Sequence, residues 1–142
     1  MALSLVPVVE ALYVYMTADS DFNTAIGGDA STAGSMYYST APNGSAFPFV
    51  VYEVTANRDE LQCLSEASYA VSVTFTIFET KAAGPRACMD INDKLRTRLD
   101  RTTFSITDHT MLAATLEVER GPQDVDEAFF QQVSYLIRGF GS

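Results

Sequence analysis

Residues 69–80 read YAVSVTFTIFET, and their alternation decides the fold. Tyr69, Val71, Val73, Phe75 and Ile77 fall on one side of an extended chain, and Ser72, Thr74 and Thr76 on the other. A period of two with β-branched and aromatic residues predicts a half-buried strand of an antiparallel sheet, one face on a core and one toward water. Upstream, residues 49–55 (FVVYEVT) have the same chemistry, and Pro48 stands at their start, where a missing N–H breaks no ladder bond. The polar run 57–68 between these segments reads as the connection of a hairpin. It places Asn57, Arg58, Asp59 and Glu60 on the surface.

Downstream, Gly84-Pro85 opens a helix with proline at the first helical position. Cys88, Ile91, Leu95 and Leu99 form its apolar stripe, and Asp90 and Lys94 are spaced for an i, i+4 ion pair. Lys94, Arg96, Arg98 and Arg101 crowd its C-terminal half, where cations favour the macrodipole. Phe104 and Ile106 lead through a turn at Asp108-His109 into a strand over 111–120. There Leu112, Ala114, Leu116 and Val118 alternate with Thr115, Glu117 and Glu119. Gly121-Pro122 ends that strand, and an acidic loop with Asp124, Asp126 and Glu127 follows. Residues 129–140 form the last strand, with Phe129, Gln131, Val133, Tyr135 and Ile137 on one side.

Toward the N-terminus, Leu5, Val8, Val9, Leu12, Tyr13 and Met16 share one helical face, with Ser4 as N-cap and Pro7 in the first turn. A second helical turn over 20–26 stops at Gly27-Gly28. Residues 29–47, rich in Ala, Ser, Gly and Thr, make a long connection with one short strand at 36–40 and a turn at Pro42-Asn43-Gly44. The expected fold is α+β: a two-layer sandwich whose mostly antiparallel sheet of about four to five strands carries a long helix on one face, with an N-terminal helix. Residues 1–142 are expected to form one domain.

Composition bounds the function. A 142-residue chain buries roughly 70% of its unfolded surface and needs no staples. Hydrophobic residues make up 47% and charged residues 19%, which argues against a disordered chain. Nine basic residues against 18 acidic ones give a formal charge of −9, which disfavours phosphate-driven nucleic-acid binding. It does not exclude a protein whose acidic wall lets DNA pass without sticking. Cys63 and Cys88 form no metal pattern and read as reduced thiols in or near the core. The apolar start carries Glu10 and lacks a basic leader region, so a soluble protein made inside the cell is expected, with no membrane span.

The search for chemistry yields no catalytic, cofactor or metal set. His109 is the single histidine and has no nucleophile motif around it. No phosphate-binding glycine loop and no HExxH is present. Glu117 and Glu119, two apart on a strand, are expected to share a face, where they read as a solvated pair rather than a cation site. The basic run 94–101 and the acidic segments 57–60 and 124–127 suit head-to-tail self-association, which closes into a ring.

Several stretches together resemble the tail completion, or tail terminator, family of long-tailed bacteriophages. They are EALYVYMTADSDF (10–22), MYYSTAPNGSAFPFVVYEV (36–54) and the order of elements from YAVSVTFTIFET onward. The second helix carries more charge at its end, and the 29–47 loop is longer and richer in Gly and Ser, than the family pattern. The resemblance implies a structural virion protein, not an enzyme, at the tail end of the head–tail joint. It would form a homo-oligomeric, hexameric ring that caps the tail tube protein and meets the head-side connector. DNA would pass through the lumen without sequence-specific binding. The interface residues expected on exposure and charge are Asn57, Arg58, Asp59, Glu60, Lys94, Arg96, Arg98, Arg101, Asp124, Asp126 and Glu127, together with the loop over 37–47. Two other readings stay open: a head–tail connector or stopper of the neck, and a small-ligand-binding module or enzyme using the sheet face and His109.

Overall fold

The computed structural model describes residues 5–57, 68–107, 109–111, 113–125 and 128–141. Along these the elements are α1 (Val6–Thr17), α2 (Ser20–Ala25), β1 (Met36–Tyr38), β2 (Phe49–Asn57), β3 (Ser68–Thr80), α3 (Pro85–Leu99), β4 (His109–Met111), β5 (Thr115–Glu119), β6 (Gln123–Val125) and β7 (Ala128–Gly141). β7 is the spine of the sheet. It pairs antiparallel with β3 along one side, and with β4, β5 and β6 in turn along the other. The sheet therefore runs β1, β2, β3, β7 and a composite edge of three short strands. The α+β sandwich is as expected, but the outermost position is divided. β1 pairs with β2 in parallel, the one parallel pair among the described strands.

Residues opposite one another in antiparallel strands share a face. The rows Tyr52–Phe75–Val133 and Val54–Val73–Tyr135 cross β2, β3 and β7 on the helix side, and every member is buried. Over them lie Val8, Leu12 and Met16 of α1 and Cys88, Ile91, Leu95 and Leu99 of α3, all buried as their spacing requires. Each such side chain contributes about 1.5–3 kcal/mol by leaving water. α1 begins at Val6 with Leu5 in the capping position and no side-chain cap. The expected cap, Ser4, lies outside the described residues. Pro7 does sit in the first turn, where its absent N–H has no intrahelical partner.

Cys88 is a buried free thiol, and Cys63 lies outside the described residues. Burial first, and the nearby Glu79 carboxylate second, push the Cys88 thiol from 9.0 up to about 11. A folded pKa above the unfolded one means that this contribution is complete below pH 9 and is lost as pH rises through 11. Two pKa units correspond to about 2–3 kcal/mol. In a Cys63→Ser chain, urea unfolding between pH 8 and 10 is expected to show the onset of that loss, and a further Cys88→Ala substitution to flatten it over that range, below the point where the buried Tyr52 and Tyr135 hydroxyls begin to add their own loss.

Three expectations fail in the second half, each for a local reason. The strand over 111–120 breaks in two because Ala114 turns inward and bonds the exit of α3: Arg101 N–H donates to its carbonyl at 2.7 Å, and its own N–H donates to the Thr102 carbonyl at 3.0 Å. A bulge between Leu116 and Val118 then shifts the register on β7. Leu116 opposes Tyr135 and Glu119 opposes Val133, both on the helix side, whereas Val118 opposes Ser134 on the open side and is 52% exposed. Glu117 and Glu119 consequently do not share a face. Glu117 accepts from the Ser72 hydroxyl, and Glu119 meets Arg96 of α3. The acidic loop after Pro122 is in part β6, whose residues 123–125 pair with 128–130.

The long connection is tied down by one side chain. Asn23, buried in α2, donates through Nδ2 to the carbonyls of Asp29 and Thr32 and accepts the Gly34 N–H through Oδ1 at 2.6 Å. Asp29 closes the loop, its Oδ1 accepting from the N–H groups of Ser31 and Thr32. These bonds hold its carboxyl below the usual range. A Cβ on Gly34 would lie 2.4 Å from Ile26 Cγ1 and 2.8 Å from the Asn23 carbonyl oxygen. Gly34→Ala is expected to cost about 1–3 kcal/mol by overpacking, read as a lower urea midpoint at unchanged slope.

Candidate interaction surfaces

The helices cover one face of the sheet, and the other face is open. Its rows follow from the same register: Phe49–Phe78–Phe130, then Val51–Thr76–Gln132, then Glu53–Thr74–Ser134. The first row is aromatic throughout. Phe49 and Phe78 stack at 4.9 Å between centroids, Phe78 and Phe130 lie 6.4 Å apart, and Phe47 adds a fourth ring 5.1 Å from Phe49. A solvated face of an antiparallel sheet is ordinarily polar, so a band of phenylalanines across three strands is out of place there. It forms the floor of a groove of about 570 Å³ that Ser39, Thr40 and Ala41 overhang. Ser39 holds a left-handed φ of 69° and donates its N–H to the Tyr52 carbonyl, which ends β1 two residues sooner than expected and turns the chain over the groove. Glu53 is the one charged side chain lining this groove. It is exposed and makes no ion pair within the described residues.

The opposite surface of the molecule is the solvent side of α3. Five of the chain's nine basic residues lie on this helix or just beyond it: Arg86, Lys94, Arg96, Arg98 and Arg101. The structure divides them. Arg98 turns inward. Its Nε and Nη2 donate to the Tyr15 carbonyl at 3.0 and 2.8 Å, and its guanidinium lies 3.7 Å from the Tyr15 ring centre. The Tyr15 hydroxyl returns a bond to the Arg98 carbonyl at 2.8 Å. Arg96 pairs with Glu119 at 3.4 Å. Arg86, Lys94 and Arg101 project to solvent without an ion pair among the described residues, and Met89 stands near them 49% exposed. The expected Asp90–Lys94 pair does not form; the ion pairs among the described residues are Arg96–Glu119 and Lys81–Asp124.

The remaining expected interface residues fall in three places. Asn57 ends β2 opposite Ala70, and Arg58, Asp59 and Glu60 lie outside the described residues. Asp124 is on β6, bonded to Lys81 rather than free in a loop, and Asp126 and Glu127 lie outside the described residues. His109 opens β4 opposite Gly141. Among the described residues no group of three metal-ligating side chains occurs, and no helix is long and apolar enough to cross a membrane. The aromatic row was the surface feature missed. Its signal was the place where Phe78 breaks the Ser72-Thr74-Thr76 polar series.

The fold has solved counterparts. A chain of the virion of a native gene transfer agent particle superposes with a TM-score of 0.72 at 14% identity, covering 97% of this chain and 100% of that one. A second solved structure shares the fold at a TM-score of 0.69 and 11% identity, over 99% of each chain. At such identities the likeness is one of fold. No family model and no curated protein matches the sequence.

Proposed function

We propose that this chain is a structural subunit of a phage-like particle, and within it the tail terminator: a ring that caps the tail tube, stops its polymerisation and joins the tail to the head-side connector. The observation that carries the reading is the end-to-end fold likeness to a chain of a gene transfer agent virion, over 97% of this chain and 100% of that one. The resemblance of segments 10–22 and 36–54 to tail completion proteins supports the finer assignment. The role is non-enzymatic: copies of the chain recognise one another, the tube end and the connector by shape, and the acidic chain lines a passage that DNA crosses without adhering.

Light scattering and negative-stain imaging of the purified chain, with and without tail tubes, test this. Six-membered rings, or a monomer that forms rings only on tube ends, are expected. A monomer that ignores tubes but binds head connectors would replace the terminator with a connector or stopper of the neck. A monomer that ignores both would overturn the virion role and return attention to ligand binding at the open sheet face.

A further inference from the structure

We infer that the open sheet face of one copy is the seat for the solvent side of α3 of the next copy. This rests on the ring reading and names the surfaces that would build it.

The two surfaces match in shape, polarity and charge. The groove offers an aromatic floor that only residues 39–41 overhang among the described residues, and α3 offers Met89, a flexible apolar side chain 49% exposed amid polar neighbours. A thioether against ring edges is a favourable contact. Among the described residues the carboxylate of Glu53 lies in the groove with no cation, and Arg86, Lys94 and Arg101 on and after α3 have no anion within ion-pair distance. α3 and its exit carry five of the nine cations against three carboxylates, Asp90, Asp93 and Asp100, a net positive balance in a chain of formal charge −9, so they suit the carboxylate-bearing face of a second copy better than the rest of the surface does. The lengths agree too: α3 has 15 residues, about 22 Å at 1.5 Å each, and β2 has nine, about 30 Å. The helix can lie within the width of the face.

The contact uses different surfaces on the two copies, so it is heterologous. Each copy keeps one free surface of each kind, and association continues until a ring closes. A symmetric pair would instead bury the same face twice and stop at two.

Two single substitutions separate these cases. Thr76→Arg fills the groove from an outward-facing position, and Met89→Glu places a carboxylate on an exposed helical site; circular dichroism melting checks that both fold. Each variant alone is expected to lose every species above monomer. Mixed, they should form a one-to-one dimer that grows no further, because one intact surface of each kind remains between them. Where the wild-type chain assembles only on tube ends, each variant should fail to cap tubes, while the mixture places pairs there without closed rings. Wild-type rings formed by either folded variant, or the lack of pairs in the mixture, would overturn the inference and leave the ring reading standing. A wild-type chain that forms no ring in solution or on tubes would overturn both.

Discussion

An Asn23→Ala chain is expected to unfold with about 2–4 kcal/mol less free energy than the wild type, measured by urea denaturation. The side chain meets three backbone groups at once: two carbonyls at 3.1 and 3.2 Å and the Gly34 N–H at 2.6 Å. Alanine leaves the Gly34 N–H without its acceptor, whereas the Asp29 and Thr32 carbonyls each keep a backbone partner, the Thr32 N–H at 3.4 Å and the Asp29 N–H at 2.9 Å. A partly buried backbone donor stripped of its hydrogen bond costs about 1–3 kcal/mol, and each carbonyl loses one of its two bonds besides. Asn23→Asp keeps the acceptor for Gly34 but turns a carboxylate oxygen toward the two carbonyls, so it should recover none of the loss above pH 5. A loss below 1 kcal/mol for alanine would show that residues 27–34 hold their path without the staple. The effect should be concentrated there: amide exchange at Gly34 and Thr32 should rise well before that of β3.

Removal of the Arg98 guanidinium should cost about 2–4 kcal/mol. That places it far apart from its neighbours in the same basic run. The Tyr15 carbonyl is one of the last four of α1 and has no partner within its own helix. Arg98 satisfies it with two charge-assisted bonds while stacking on the ring of the same residue, which stacks in turn on Phe104 at 4.7 Å. Lysine has neither the fork nor the plane, so Arg98→Lys should recover less than half of the loss. Lys94→Ala and Arg101→Ala, with no ion pair to lose, should stay within about 0.5 kcal/mol of wild type. Equal effects at all three positions would refute the division of the run into one structural and two surface cations.

Much of the fold was legible because it is written in period. The alternation over 71–77 and 131–137 and the stripe Cys88-Ile91-Leu95-Leu99 face the core as their spacing predicts. What was not legible depends on contacts distant in sequence. Nothing in LAATLEVE announces that Ala114 will be claimed by Arg101 and Thr102, or that a bulge will send Glu119 to Arg96 and Glu117 to Ser72. Nor does the spacing of Lys94, Arg96, Arg98 and Arg101 reveal which of them turns inward, because that is set by where the end of α1 crosses α3. The open face was half visible. Phe49, Phe78 and Phe130 occupy the polar side of their strands in sequence, but only the register of β2, β3 and β7 places them in one row.

The placement of β7 has a consequence for how the chain acquires its shape. Among the described strands β4, β5 and β6 have no partner but β7, and β3 has its second neighbour only there. During synthesis all of these are made before residues 128–141. Until then β3 offers one bare edge, and the apolar stripe of α3 has an incomplete sheet beneath it. The β3–β7 ladder joins Ser68 to Phe140 and Thr80 to Ala128, so its closure spans at least 48 residues of chain. Long closures of this kind slow folding and prolong the exposure of strand edges. A nascent chain arrested short of β7 is therefore the form in which this protein is most prone to cross-strand aggregation. Its yield should respond to the rate at which the last strand emerges more than to the stability of the finished domain.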